Sequence, residues 1–179
     1  GGKDSAVAAY VLKKLGYDIS CVHINLGIGD YSVRCEEFAQ HQCEILGLEL
    51  PVIKVKSLLG AGIGELKTRR ATCSSCGITK RYILNKFAYD NGFDAVATGH
   101  NLDDTAAAVI MNMMAQNINQ LFRVGPIIYK RDDVKMTGRV KPLYWVREKI
   151  VRQYIQENDI RVVQMKCPYS TSVHQHRIK

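Results

Sequence analysis

The sequence predicts an α/β domain with a mainly parallel sheet flanked by helices, and three observations predict it. Short apolar runs with strand character alternate with longer runs of helical periodicity. Gly16 and Gly47 close two of the helical runs, as helix stops do. The turn Gly1-Gly2-Lys3-Asp4-Ser5 feeds straight into an apolar helical stretch. In open parallel sheets such turns lie beyond the C-terminal ends of the strands, where ligands bind.

The elements follow in order. Residues 5–15 read as a helix, carried by Ala6, Val7, Ala8, Ala9, Tyr10, Val11 and Leu12. Residues 19–24 read as a buried strand. Residues 34–46 are amphipathic, with Phe38, Cys43, Ile45 and Leu46 apolar. Residues 50–55 form a second short strand. Ile78, Tyr82, Ile83, Phe87 and Tyr89 give residues 77–90 an apolar helical surface. Residues 94–98 are a third strand and 103–115 a further helix. Residues 140–143 read as a short strand, 147–158 as a late helix and 162–165 as a last strand. The glycine-rich stretch Gly60-Ala61-Gly62-Ile63-Gly64 follows no phosphate-loop spacing and reads as a mobile loop. Residues 129–138, with Lys130, Arg131, Asp132, Asp133 and Lys135, read as an exposed turn. This order puts residues 1–5, the segment after Ile24 and residues 99–104 at one sheet edge.

A chain of 179 residues suits one domain with a proper core. No apolar run approaches the ~20 residues that span a bilayer, so no membrane association is expected. The net charge of +8 favours polyanions such as nucleic acid. The six cysteines, in an α/β pattern, point to metal or redox use more than to disulfides. Cys21, Cys35 and Cys43 lie in strand- and helix-like runs and read as small buried residues.

Two glycines without Cβ atoms let the backbone approach an anion closely. A helix N-terminus behind them offers free N–H groups and a favourable dipole to a phosphate. The same turn also serves plain topology. It is not a Walker loop, because Asp4 and not a Ser or Thr follows Lys3. Cys73-Ser74-Ser75-Cys76 has the spacing of a metal-ligating or a redox pair. Cys167, followed by Pro168, is a third candidate ligand. A four-cysteine zinc site would need another thiolate, whereas three suit a 4Fe–4S cluster with one reactive iron. Lys80 lies about one turn after Cys76, within reach of a bound phosphate. In Gly99-His100-Asn101-Leu102-Asp103-Asp104, Asn101 or Asp103 makes a natural N-cap. The functional alternative gives Asp104 to magnesium or the reacting group, with Gly99 allowing close approach of a nucleotide. His174 and His176 read as surface residues.

These motifs, in this order, resemble the PP-loop ATP pyrophosphatases, specifically the tRNA 2-thiolation enzymes of the TtuA type. Gly1–Ser5 resembles the signature Ser-Gly-Gly-x-Asp-Ser without its first serine. The Asn in Gly-His-Asn-Leu-Asp-Asp and Lys80-Arg81-Tyr82 favour this branch over the 2-thiocytidine branch of the TtcA type. The resemblance implies an adenine nucleotide alpha hydrolase-like, Rossmann-like fold. It implies a fragment, a single catalytic domain over residues 1–179 that lacks the first strand and the family's flanking zinc-binding segments.

It also implies a cytoplasmic tRNA uridine 2-sulfurtransferase. ATP adenylates the uracil C2 oxygen, sulfur replaces it, and AMP and pyrophosphate are released. A 4Fe–4S cluster would sit on Cys73, Cys76 and Cys167, with those cysteines, Lys80 and Asp104 as catalytic residues. ATP contacts would come from Gly1, Gly2, Lys3, Asp4 and Ser5, the backbone near His23 and Ile24, Lys80, Gly99 and Asn101, with Mg2+ near Asp104. The partners would be tRNA and a sulfur donor, either sulfide or a thiocarboxylated ubiquitin-like protein, with a homodimer left open. A persulfide on Cys73 or Cys76 is the alternative sulfur chemistry. Candidate tRNA backbone contacts are Arg69, Arg70, Lys80, Arg81, Lys86, Arg123, Lys130 and Arg131. The rivals are another PP-loop enzyme, such as a 2-thiocytidine synthetase, an amidotransferase-type ligase or tRNA-lysidine synthetase, and a non-catalytic zinc-bound RNA-binding module.

Overall fold

The apolar stripe of the first helix has one natural partner, the stripe of the last. In a computed structural model, which describes residues 1–67, 69–122 and 124–170, α1 (Lys3–Lys14) packs on α7 (Glu148–Glu157). Val7 and Ala8 meet Val151 and Leu143, all buried, with Val11, Val146, Tyr154 and Ile155 around them. Val151, Tyr154 and Ile155 fall at i, i+3 and i+4, one face of a helix. Arg152 on the outer face pairs with Glu148.

Between these helices strands and helices alternate, but the strand expected over 140–143 lies at Gly138–Val140 and the helix expected over 77–90 already begins at Thr72. The order is β1 (His23–Asn25), α2 (Gly29–Ile45), β2 (Val52–Lys54), α3 (Val55–Leu59), α4 (Thr72–Asp90), β3 (Ala95–Ala97), α5 (Leu102–Met114), α6 (Ile118–Leu121), β4 (Ile127–Ile128) and β5 (Gly138–Val140). β1 and β2 pair in parallel, His23 opposite Val52. β5 lies between β3, parallel with Val96 opposite Arg139, and β4, antiparallel with Ile128 opposite Arg139. Among the described residues the strands thus form two sheets, β1-β2 wholly parallel and β3-β5-β4 with one antiparallel edge, so the pairing is mainly parallel. α2 packs on β1 and α4 on β3.

Several elements depart from the sequence expectation. The strand expected over 19–24 is ordered as a ladder only from His23, whose N–H donates to Pro51 O at 2.9 Å. Pro51 has no N–H to return, so the ladder begins there. Residues 162–165 make no strand. Val163 N–H donates to Gly1 O at 3.0 Å and Gln42 Nε2 to Arg161 O, single bonds rather than a ladder. α2 starts at Gly29, not at residue 34. Asn25 Oδ1 accepts from Gly27 N–H and Ser32 Oγ accepts from Ile28 N–H, local bonds that launch the helix early. The glycine-rich loop is anchored rather than mobile. Ile63 is 1% exposed and its N–H donates to Leu26 O. A Cβ on Gly62 would stand 2.5 Å from Gly27 O, so two backbones touch there. Of the three cysteines read as buried, Cys43 is buried and Cys21 and Cys35 are half-buried. Residues 129–138 are largely exposed, with a short 3-10 turn at Asp132–Val134.

Candidate nucleotide and thiol site

The N-termini of α1, α4, α5 and α7 are finished differently. α5 carries a full capping box. Asn101 Oδ1 accepts from Asp104 N–H at 3.0 Å, and Asp104 Oδ2 accepts from Asn101 N–H at 3.2 Å. The first N–H of α7, on Glu148, donates to Asp103 Oδ2 at 2.6 Å. Both aspartates of the Asn-Leu-Asp-Asp run are thus in use as caps. α1 and α4 have no side-chain cap, Gly2 and Ala71 standing at their N-cap positions. The uncapped N–H groups of α1 are the ones a phosphate can take.

Two contacts lock α1 to α5. Asn101, 0% exposed, donates from Nδ2 to Asp4 Oδ1 at 2.9 Å. Asp4 Oδ2 accepts from Lys3 Nζ at 2.7 Å, and Lys3 also faces Glu148 Oε1 at 3.5 Å. A Cβ on Gly99 would stand 2.5 Å from the Asp4 carbonyl carbon and 2.6 Å from Ser5 N, so only glycine fits that approach. Ser5 Oγ donates to Gly2 O at 3.0 Å. Gly1 is held by α2: any Cβ on it would overlap Cys35 O. His23, on β1, has a buried Nε2 with no partner among the described residues. Burial lowers its pKa to about 4, so the ring is neutral at pH 7. Ile24 follows it on the same strand.

The thiols gather at the start of α4. Cys73 and Cys76 lie within the helix, not in a turn ahead of it. The turn Cys167-Pro168-Tyr169-Ser170 closes on itself through Ser170 N–H and Oγ, both donating to Cys167 O. It docks on α4 where Cys73 Sγ donates to Tyr169 O at 3.0 Å. Burial, and then the neighbouring Cys167 and Cys73, push the Cys76 thiol up, against the pull of Lys80, which hydrogen-bonds it. Lys80 therefore does share the face of Cys76. Among the described residues no three His, Cys, Asp or Glu side chains converge tightly enough for a single metal ion. A multi-iron group takes each thiolate on a different iron, so its ligands stand further apart than those of one ion. Three neighbouring thiols at an uncapped helix N-terminus, with a lysine beside them, fit such a group better than they fit zinc.

Tyr31 escaped the sequence reading because the helix was expected to begin after it. Burial pushes its hydroxyl pKa up, Cys35 hydrogen-bonds it, and Cys167 and Cys76 are near enough to add to the effect. Tyr31 and Cys35 thus join the Gly1 turn to the thiol cluster through α2.

The expected tRNA contacts divide. Lys86 pairs with Asp90 at 2.7 Å, Lys130 with Asp132 at 3.4 Å and Arg131 with Asp133 at 2.6 Å. Arg69, Arg70, Lys80 and Arg81 are exposed. Arg123, His174 and His176 lie outside the described residues.

A PP-loop domain model matches residues 1–178. The chain is 54% identical over 170 residues to a Pyrococcus horikoshii protein named tRNA-5-methyluridine(54) 2-sulfurtransferase, covering 95% of this chain and 54% of that protein. It is 42% identical to the Thermus thermophilus protein of the same name, over 94% of this chain and 52% of the relative. The chain spans about half the length of the curated relatives it matches. Among solved structures, the U34-tRNA thiolase NcsA from Methanococcus maripaludis, solved with its 4Fe–4S cluster, superposes with a TM-score of 0.85 at 32% identity. The match covers 99% of this chain and 60% of that one. No helix among the described residues is long and apolar enough to cross a membrane. With the uncapped Gly-Gly helix start, the Gly99 approach and a model match over nearly its whole length, this chain belongs to the PP-loop domain family.

Proposed function

We propose that the chain is the ATP-using catalytic part of a tRNA uridine 2-sulfurtransferase. The observation that carries this reading is the link between the two sites: Cys35 abuts Gly1 through its carbonyl and reaches Tyr31, beside Cys76 and Cys167. A nucleotide on α1 and sulfur chemistry on α4 then work on one substrate atom from adjoining places.

The free N–H groups of the first turn of α1 hold the pyrophosphate end of ATP, with Gly1 and Gly2 keeping the approach open. Lys3 and Lys80 balance phosphate charge. Asp104, at the start of α5, positions Mg2+. The backbone at His23 and Ile24 meets the adenine. The uridine is turned out of its stack to reach this edge. Its C2 oxygen attacks the α-phosphorus, and the bond to pyrophosphate breaks. Sulfide adds to C2, and the C2–O bond breaks with AMP as the leaving group. Cys73, Cys76 and Cys167 are the residues that would hold a 4Fe–4S cluster. When bound, it supplies an iron position free of protein ligands for inorganic sulfide, whether free or released from a thiocarboxylated protein.

The relatives named for 5-methyluridine 54 are 54% and 42% identical, against 32% for the U34 thiolase, which supports position 54 as the target. The test incubates anaerobically reconstituted protein with tRNA bearing 5-methyluridine 54, Mg-ATP and sulfide. Nuclease digestion and mass spectrometry then read the product. 5-Methyl-2-thiouridine that requires both ATP and iron is expected, and Cys167→Ala should lose iron and product together. Full activity in iron-free protein would overturn the cluster assignment. AMP release without any thionucleoside would overturn the substrate.

A further inference from the structure

Lys3, Lys86, Lys130, Arg131 and Arg152 each face a carboxylate, whereas three cations near the end of β5 do not. Arg81 on α4, Arg139 in the middle of β5 and Lys141 just beyond β5 form no ion pair among the described residues. They are neighbours. Arg139 and Lys141 are half-buried, and burial followed by the charge of a neighbouring cation lowers the pKa of each, Arg81 acting on Arg139 and Arg139 on Lys141. All three are near enough to His100 to add to the burial that lowers its pKa, while Asp104 works the other way. His100 directly follows Gly99, the point where α1 is met.

Crowding like charges at a partly buried place is unfavourable unless an anion completes it. Arg139 is costly there for a second reason, since a central strand position opposite Val96 and Ile128 suits an apolar side chain better. The next residues along the chain say which anion fits. Lys141 Nζ lies 5.5 Å over the Tyr144 ring, and Tyr144 meets Trp145 edge-on at 4.8 Å. Trp145 is 77% exposed, a large apolar face left in water. Cations beside an open aromatic face are the parts of a single-strand binding surface, where phosphates take the charges and a base takes the ring. A free nucleotide uses such a ring only if its base lies there, and the expected adenine position is on β1.

We propose that Arg81, Arg139 and Lys141 form a binding site for phosphodiester groups of the RNA substrate, next to the nucleotide site, with Trp145 stacking an unpaired base. This rests on the tRNA reading above and locates its substrate strand. The site holds the backbone beside the displaced uridine, at the sheet edge where β5 ends.

The experiment measures tRNA affinity across a potassium chloride series and, separately, Mg-ATP affinity without tRNA. The variants are Arg139→Gln, Lys141→Gln, Arg81→Gln and Trp145→Ala. Each cation variant should lower tRNA affinity about fivefold, the upper range for a solvent-accessible ion pair. Each should also flatten the salt slope by roughly one, while Trp145→Ala lowers affinity with the slope kept. Mg-ATP affinity should stay at the wild-type value in all four. Lys141→Arg, which keeps charge at a position outside the strand, should restore the slope even if Arg139→Gln unfolds. Weakened ATP binding with tRNA binding intact would assign the cations to the nucleotide and overturn the proposal. So would wild-type tRNA binding in every variant. If the wild-type protein bound no tRNA at all, the thiolase reading itself would fall first.

Discussion

Asn101→Ala tests how the two halves of the nucleotide edge are held together. The side chain is 0% exposed and makes two bonds from its two ends. Removing Oδ1 uncaps α5, which costs about 1 kcal/mol. Removing Nδ2 ends a hydrogen bond to a carboxylate, a class of about 1.5–3 kcal/mol. Asp4 keeps some contact with solvent, its side chain being 26% exposed, so the lower end of that range applies. The sum is about 2.5 kcal/mol, read as a shift in urea midpoint at unchanged slope. Asn101→Ser separates the parts. Serine caps a helix as well as asparagine does, but it cannot reach Asp4 with a donor, so about 1.5 kcal/mol should remain lost. Asn101→Asp keeps the cap and sets a carboxylate against Asp4, and it should be at least as damaging as alanine. A double-mutant cycle of Asn101→Ser with Asp4→Ala should return a coupling near the same 1.5 kcal/mol. If Asn101→Ser were as stable as wild type, or the coupling were nil, the tie between α1 and α5 would contribute nothing and the reasoning would fail.

Gly99→Ala places a Cβ 2.5–2.7 Å from backbone atoms of Asp4 and Ser5, which cannot yield as a side-chain tip can. Mg-ATP affinity should drop more than tenfold with α1 displaced, and an unchanged titration would count against the close approach. His23 has a folded pKa of about 4 against about 6.5 unfolded, so the unfolded chain binds more protons between those values. Stability contributed by the neutral ring is present above pH 6.5 and is lost as pH falls toward 4. His23→Leu should flatten that acid limb in urea melts at pH 7.5 and pH 5, leaving the part due to His100, which burial also depresses. Parallel declines in variant and wild type would rule His23 out as the cause.

The helices were legible wherever an apolar stripe of period 3.6 marked them, as in α1 and α7, because burial of that stripe is what makes them helices. α2 was legible only from its middle. Its start is set by Asn25 accepting from Gly27 N–H and Ser32 accepting from Ile28 N–H, polar bonds that leave no hydrophobic periodicity to read. Residues 162–165 have the composition of a strand, yet a strand exists only where a ladder partner does. The site motifs were visible as local runs. Their assembly was not, since Asn101 and Asp4 are 97 residues apart and Cys73 reaches Tyr169 over 96. Arg139 and Lys141 were hidden for a different reason: the segment was read for its apolar residues, and the cations within and beside it were passed over.

Which helix start receives which chemistry follows from the caps. Four N-termini carry the same backbone dipole, so the dipole alone cannot discriminate among them. α5 spends Asn101 and Asp104 on its own N–H groups, and Asp103 serves α7. A phosphate approaching either would have to displace a carboxylate already hydrogen-bonded there. α1 offers Gly2 and α4 offers Ala71, neither with a side chain able to accept a bond. The two open starts differ in what stands on them. α1 presents glycine backbone and Lys3, suited to phosphate oxygens. α4 presents two thiols that gain from a nearby positive end when they ionise. The conspicuous aspartates therefore do their first work by closing the ends of α5 and α7, and α1 and α4 keep open starts for the anionic parts of the reaction.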